Sequence, residues 1–210
     1  MVYNVQIMNA NKRKDSLTLE ILETIEKNDK LTQRHLADNL GVALGLANSY
    51  MKRCVRKGLI KVHQAPANRF LYYLTPKGFT EKSRLTASYL SSSFDFYRRA
   101  GASLAEAFSF CEKHNKTSVL LCGVSELAEI ASLRAYEHEI NIVGVFDPFS
   151  KKENLLHLKV WHSLDDVDEY DACLITSLEE AVSFVELLKQ QVKKDDILIP
   201  TILGISTARN

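Results

Sequence analysis

Cysteine is scarce in this chain of 210 residues, and the four present (Cys54, Cys111, Cys122, Cys173) are scattered, three of them in apolar settings. There is no Cys-x-x-Cys and no His/Cys cluster at metal spacing. That excludes the common zinc patterns and a dithiol redox motif, and implies buried, reduced thiols. Long apolar runs are also missing. None approaches the roughly 20 residues that cross a bilayer, so no membrane partner is expected. The first residues are polar and lack a signal-peptide apolar region, which places the chain in the cytoplasm. No internal repeat or low-complexity segment is present.

A net charge is nearly absent as well, with 27 Lys or Arg against 26 Asp or Glu. The balance hides an asymmetry. Residues 1–100 hold 17 basic and 8 acidic side chains, a surplus of +9, and residues 101–210 hold 10 and 18, a deficit of −8. A basic half beside an acidic one points to nucleic-acid contact by the first and a different task for the second. The length suits two domains of about 100 residues each. The expected division is 1–100 and 101–210.

What is there, between Thr32 and Leu74, is the order short helix, tight turn, longer basic helix and two short strands around a polar loop. Thr32 is a helix cap and a candidate DNA contact, with Leu31 and Leu36 at staple positions around it. Asn39-Leu40-Gly41-Val42 forms the turn. The second helix runs from about Leu44 to Lys57 and stops at Gly58 after cationic residues. Leu46, Ala47, Tyr50, Met51 and Cys54 are expected to pack inward. Gly45, Asn48, Ser49, Lys52 and Arg56 share the other face, flanked by Arg53. Amide, hydroxyl and cationic donors on one helix face are the groups that read base edges and grip phosphates in a major groove. A plain solvated face is the alternative, and the surrounding order of elements favours double-stranded DNA. Gly45 costs a helix roughly 1 kcal/mol relative to Ala. Close approach to DNA or tight packing against a neighbour would each account for it.

Ile60 and Val62 alternate with Lys61, and Phe70 to Leu74 forms the return strand of a wing. The loop from His63 to Arg69 is polar and broken by Pro66. Its His63, Asn68 and Arg69 are candidates for minor-groove or phosphate contact. Thr75-Pro76 then opens a helix, with Leu74 and Phe79 as a staple, expected to reach about Arg99. Its stripe of Phe79, Leu85, Thr86, Tyr89, Leu90, Phe96 and Tyr97 must be buried. A second copy, giving a homodimer with two recognition helices, is preferred over the chain's own C-terminal domain. Ala100-Gly101-Ala102 is expected to break that helix.

This half resembles a known family. Leu40-Gly41-Val42, Lys57-Gly58-Leu59-Ile60-Lys61-Val62, Tyr73-Leu74-Thr75-Pro76-Lys77-Gly78 and Glu81-Lys82-Ser83-Arg84-Leu85-Thr86 look like the MarR-type winged helix-turn-helix regulators associated with exopolysaccharide gene clusters. The resemblance covers about residues 15–99. It implies sequence-specific DNA binding and transcriptional control by a dimer. Family members usually place Ser where this chain has Ala43, which removes about 1 kcal/mol of capping.

The C-terminal half alternates strands and helices. Strands are expected at Ser118 to Gly123, Ile140 to Asp147, Ala172 to Thr176 and Ile197 to Ile199, with a short edge element at Val160-Trp161. Helices are expected at Ser103 to His114, Glu126 to Glu137 and Leu178 to Gln191. Continuous apolar strands imply a parallel sheet covered on both faces. The turn Gly123-Val124-Ser125-Glu126-Leu127-Ala128 is an altered dinucleotide fingerprint: Gly123 is present, but Ser125 replaces the glycine that lets backbone approach a pyrophosphate. Glu126 puts a carboxylate where phosphate would sit. Asp147 ends the second strand, where an acid binds ribose hydroxyls. Gly123, Ser125, Glu126, Asp147 and Thr176 are the candidate ligand residues. NAD(H) or a nucleotide sugar is the ligand class to weigh, against a fold that has lost its ligand and serves assembly. Leu121-Cys122-Gly123 and Val143-Gly144-Val145-Phe146-Asp147 resemble, over about residues 117–200, the Rossmann-like domains found with nucleotide-sugar-modifying enzymes. The overall plan is also similar to redox-sensing repressors that join a winged helix to an NADH-binding domain, though their fingerprint is intact.

Catalysis finds little support. His114, His138, His157 and His162 lack partners at motif spacing, and Asp165-Asp166-x-Asp168-Glu169 reads as a capped, solvated turn. The expected fold is α/β: an N-terminal winged helix-turn-helix domain, a long linker helix, and a C-terminal Rossmann-like parallel sheet with helices on both faces. The expected function is a non-enzymatic DNA-binding transcriptional regulator whose C-terminal domain assembles it or senses a small-molecule effector. The alternative is a nucleotide or nucleotide-sugar binding enzyme or scaffold that uses the winged helix for protein contacts.

Overall fold

The computed structural model describes residues 2–28, 32–66 and 69–205. The chain divides into two compact units, Met1–Ser93 and Phe94–Asn210. The first unit holds helices α1 (Val2–Lys27), α2 (Gln33–Asn39) and α3 (Leu44–Arg56), then the antiparallel strands β1 (Ile60–Ala65) and β2 (Arg69–Leu74). Helix α4 (Pro76–Lys113) begins in the first unit and ends in the second.

Helix α1 lies outside the elements expected from the sequence. Leu17, Ile21, Leu22 and Ile25 recur at i, i+4, i+5 and i+8, and all four are buried. Ile21, Leu22 and Ile25, with Leu19, join Leu36, Met51, Cys54, Leu59, Ile60, Tyr72 and Leu85 in the core of this unit. Each fully buried Leu or Ile contributes about 1.5–3 kcal/mol. The start of α4 is locked to the end of α3. Thr75 accepts from the Gly78 amide at 3.0 Å as a cap, while its hydroxyl donates to the Gly58 carbonyl at 2.6 Å. The expected staple partner Phe79 stays 47% exposed.

Helix α4 has 38 residues, roughly 57 Å, and Ala100-Gly101-Ala102 does not break it. The reason is tertiary. Ala100, Leu104, Phe108 and Cys111 form a fully buried stripe in the second unit's core, which outweighs glycine's propensity deficit. Gly101 also gives room to Arg134: a Cβ there would lie 2.8 Å from its Nη2.

The second unit continues with β3 (Ser118–Cys122), α5 (Glu126–Ala135), β4 (Asn141–Phe146), β5 (Asn154–Leu155), β6 (Leu158–Trp161), β7 (Ala172–Ile175), α6 (Ala181–Leu188) and β8 (Ile197–Leu198). The sheet order is β5-β6-β4-β3-β7-β8. It is mixed and not purely parallel, because β5 pairs antiparallel with β6. Val160-Trp161 is therefore interior, flanked by β4 and covered at the edge by the two-residue β5. Along β3, Val119 and Leu121 pack with the end of α4 and with α5, while Leu120 and Cys122 pack with α6. Both faces are covered, as continuous apolar strands require. From β3 the chain adds β4 and β6 on one side, then β7 and β8 on the other. The loops after β3 and β7 consequently diverge and leave a crevice between them.

All four cysteines are free and buried. Burial pushes the Cys111 thiol up to about 11 and also raises Cys54, where Lys57 and Arg53 oppose the shift. Among the described residues no helix is long and apolar enough to cross a membrane.

Candidate nucleic-acid interface

The helix-turn-helix is built from its caps. Thr32 Oγ1 accepts from the His35 amide at 3.1 Å, so this exposed hydroxyl starts α2 and keeps its own proton to donate. Leu31, the other half of the expected staple, lies outside the described residues. At the turn Gly41 takes φ 59°, and the Val42 amide donates to the Ala37 carbonyl at 3.1 Å. The end of α3 closes with two bonds: Gly58 N–H donates to Val55 at 2.9 Å and Leu59 N–H to Cys54 at 3.0 Å. That pair, around Gly58 at φ 70°, satisfies the last carbonyls of the helix. At the other end Ala43 supplies no side-chain cap.

Helix α3 buries Ala47, Met51 and Cys54. Tyr50 is half-buried, and Leu46 is 40% exposed instead of packed inward. The stripe is narrower than expected because only one line of residues faces α1, α2 and the sheet. Gly45, Ser49, Lys52, Arg53 and Arg56 are all exposed. Asn48 is half-buried, and its Oδ1 is enclosed without a hydrogen-bond partner. An added Cβ at Gly45 would meet nothing within 4 Å. Intramolecular packing is therefore not the reason for glycine at this position.

The wing is longer than the sequence suggested. His63 and Gln64 belong to β1, paired with Leu71 and Phe70, so the connection shrinks to residues 66–68. His63 is exposed. Asn68 lies outside the described residues. Arg69 opens β2 opposite Ala65, and its side chain is likewise outside them. Between α3 and the sheet runs an open groove of about 640 Å³ whose walls include Met51, Lys52, Val55, Arg56, Val62 and Phe70. No single stretch of sequence reveals it, because its walls come from α3, both strands and Gln33 of α2.

The candidate ligand residues of the second unit also meet in space. Gly123 sits at φ 110°, and a Cβ on it would lie 2.5 Å from the Ser177 amide nitrogen, so the turn needs glycine. Ser125 Oγ donates to the Thr176 carbonyl at 2.5 Å and accepts from the Leu127 and Ala128 amides at 3.1 and 3.3 Å, capping α5. Thr176 Oγ1 donates to the Gly123 carbonyl at 2.7 Å. The buried Asp147 carboxylate accepts from the amides of Val124 (2.8 Å), Phe149 (2.9 Å) and Ser150 (3.0 Å). Four of the five thus tie the ends of β3, β4 and β7 together. The fifth, Glu126, is exposed on a crevice of about 450 Å³ that Glu129, Glu179, Glu180, Phe149 and Lys152 also line.

Outside these sites several of the histidines singled out from the sequence bond or stack on their neighbours. His138 Nδ1 lies 2.9 Å from Glu112 Oε1, and His114 stacks on Phe110 at 4.0 Å. His162 Nδ1 bonds the Asp147 carbonyl at 2.9 Å. Ser163 caps the turn at Asp165-Asp166. Trp161 is buried, with the Lys159 ammonium 5.0 Å from its ring centroid.

Residues 14–61 match the family described as winged helix-turn-helix DNA-binding. None of the curated proteins matches the chain. Among solved structures it is similar to a MarR family transcription regulator, SP03579, at 21% identity and a TM-score of 0.38, covering 46% of this chain and 69% of that one. It is similar to MepR, a transcription regulator of the Staphylococcus aureus multidrug efflux pump MepA, at 16% identity and 0.35, covering 46% and 81%. It is also similar to human N-acetylserotonin methyltransferase in complex with SAM, at 15% identity and 0.32, covering 95% and 79%.

Proposed function

We propose that this chain is a sequence-specific, homodimeric DNA-binding transcription regulator of the MarR-like kind. Its α/β unit, which we read as Rossmann-like, serves assembly or metabolite sensing and not catalysis. The observation that carries the reading is the outer face of α3. Exposed Ser49, Lys52, Arg53 and Arg56 stand beside Gly45, where open space surrounds the missing side chain. A glycine that lowers helix stability and fills no packing need is accounted for by a close backbone approach to a duplex. The +9 balance of residues 1–100 supplies the attraction to phosphate.

Support for the dimer comes from α4, whose Tyr89, Leu90, Phe94 and Tyr97 are between 40% and 61% exposed. An exposed aromatic stripe on one helix suits a two-fold partner. Support for a non-catalytic second unit comes from Ser125, Asp147 and Thr176, whose polar atoms bond backbone groups that join the loops after β3, β4 and β7 to one another.

The test is duplex binding after selection of bound genomic fragments. Replacing Lys52 and Arg56 together by Ala should weaken binding and lower the slope of log K against log salt by about 2. A double variant that binds the selected site as tightly as wild type at matched salt overturns the assignment of α3.

A further inference from the structure

The groove beside α3 has a composition that phosphate gripping alone does not explain. Its floor is apolar: Val55 and Val62 are each 36% exposed and Phe70 is 49% exposed, above buried Met51 and Tyr72. Its rim on the α3 side is cationic, with Lys52 and Arg56 both exposed, and Gln33 of α2 adds one exposed amide to the lining, on a different element from the apolar floor on which the methyl contact depends. On the helical wheel Val55 lies between the buried line of Met51 and the outer line of Lys52 and Arg56. The groove is therefore continuous with the proposed DNA face. An apolar floor under two cations complements a strand of DNA seen edge-on. Its phosphates meet the cations, and its deoxyribose carbons and thymine C5-methyl groups meet the floor.

We infer that this groove reads thymine methyl groups on the strand that Lys52 and Arg56 grip, making Val55, Val62 and Phe70 specificity-determining residues. The inference rests on the proposed function. It adds that the operator carries thymine at a fixed position and that recognition there is apolar and not through hydrogen bonds. Burying one methyl is worth about fourfold in affinity, the equivalent of ~0.8 kcal/mol.

The experiment compares a selected duplex with the same duplex in which uracil replaces thymine, using the full chain and anisotropy titration. Uracil keeps every hydrogen-bonding group of thymine and lacks only the methyl. Wild type should bind the uracil duplex about fourfold more weakly for each methyl read. The near-isosteric Val55→Thr/Val62→Thr variant and the Phe70→Ser variant alter exposed side chains. They should bind DNA while losing most of that difference. Equal affinity of wild type for thymine and uracil duplexes overturns the inference and leaves the proposed function intact. So does a difference that persists in both variants, or a selected site without thymine. The groove would then belong to another occupant, such as a small apolar molecule or a second copy. Failure of wild type to prefer any selected duplex over random DNA overturns the proposed function and this inference with it.

Discussion

The carboxylate of Asp147 and the backbone amide of Val124 are joined by a 2.8 Å hydrogen bond, which ties the end of β4 to the turn after β3. The same carboxylate holds the amides of Phe149 and Ser150. A group in this position has little left to offer a ribose. Asp147→Ala should destabilise the chain by about 2 kcal/mol in urea unfolding, because three amides lose their acceptor. Calorimetric titration of wild type with micromolar NADH should show no binding. Unchanged stability in the variant, or clear heats with NADH, would mean that the carboxylate is free to serve a ligand.

Gly45→Ala separates stability from binding. The position is helical and has room for a methyl, so the variant should gain up to about 1 kcal/mol in thermal or urea unfolding. Its affinity for a selected duplex should fall at the same time. Tighter or equal DNA binding by a stabilised variant would remove the reason given for this glycine.

The acid side of the stability curve should depend on Asp171. Its Oδ2 accepts from the Ser118 amide at 2.9 Å, the Ser118 hydroxyl at 2.8 Å and the Thr117 amide at 2.8 Å. The Ser118 amide above all, then the Ser118 hydroxyl and the Thr117 amide, hold its pKa below the ordinary 3.8. A depressed carboxylate stabilises the fold at pH above its unfolded value, and that contribution disappears as pH falls through the folded value. Asp171→Asn should flatten the loss of stability below about pH 4 and leave the slope between pH 6 and 8 unchanged. The check is urea unfolding across pH, and an unaltered acid limb would contradict it.

Sedimentation tests the exposed stripe of α4. Wild type should sediment at about twice 23.8 kDa at micromolar concentration. Phe94→Asp, at a site 59% exposed, should shift the distribution to the monomer and weaken binding to a two-half-site operator. A monomeric wild type would show that the stripe has a different partner.

The elements legible in the sequence were those marked by local chemistry. Thr32, Gly41, Gly58 and Thr75-Pro76 are caps and turns whose geometry depends on a few neighbours, and the helix-turn-helix followed from them. Helix α1 was overlooked although Leu17, Ile21, Leu22 and Ile25 repeat at helical spacing, because no cap or glycine punctuates that stretch. Gly101 misled for the opposite reason: a local breaker was overridden by Leu104, Phe108 and Cys111, whose partners lie far along the chain. The outer face of α3 could be read from spacing alone. The groove beside it could not, since Val55, Val62 and Phe70 come from three elements. Nor could the occupation of Asp147 be seen, because backbone amides leave no trace in a residue pattern.

The unbroken run of α4 bears on how this gene can be cut and recombined. A fragment ending at residue 100 would carry a ragged helical end, and its complement would begin without Ala100, a buried member of its own core. Chimeras, truncations for expression and exchange of the DNA-binding head should be joined at residues 93 and 94, where the two compact units part inside an intact helix. A graft there must keep the helical phase, because each inserted residue rotates everything downstream by about 100°.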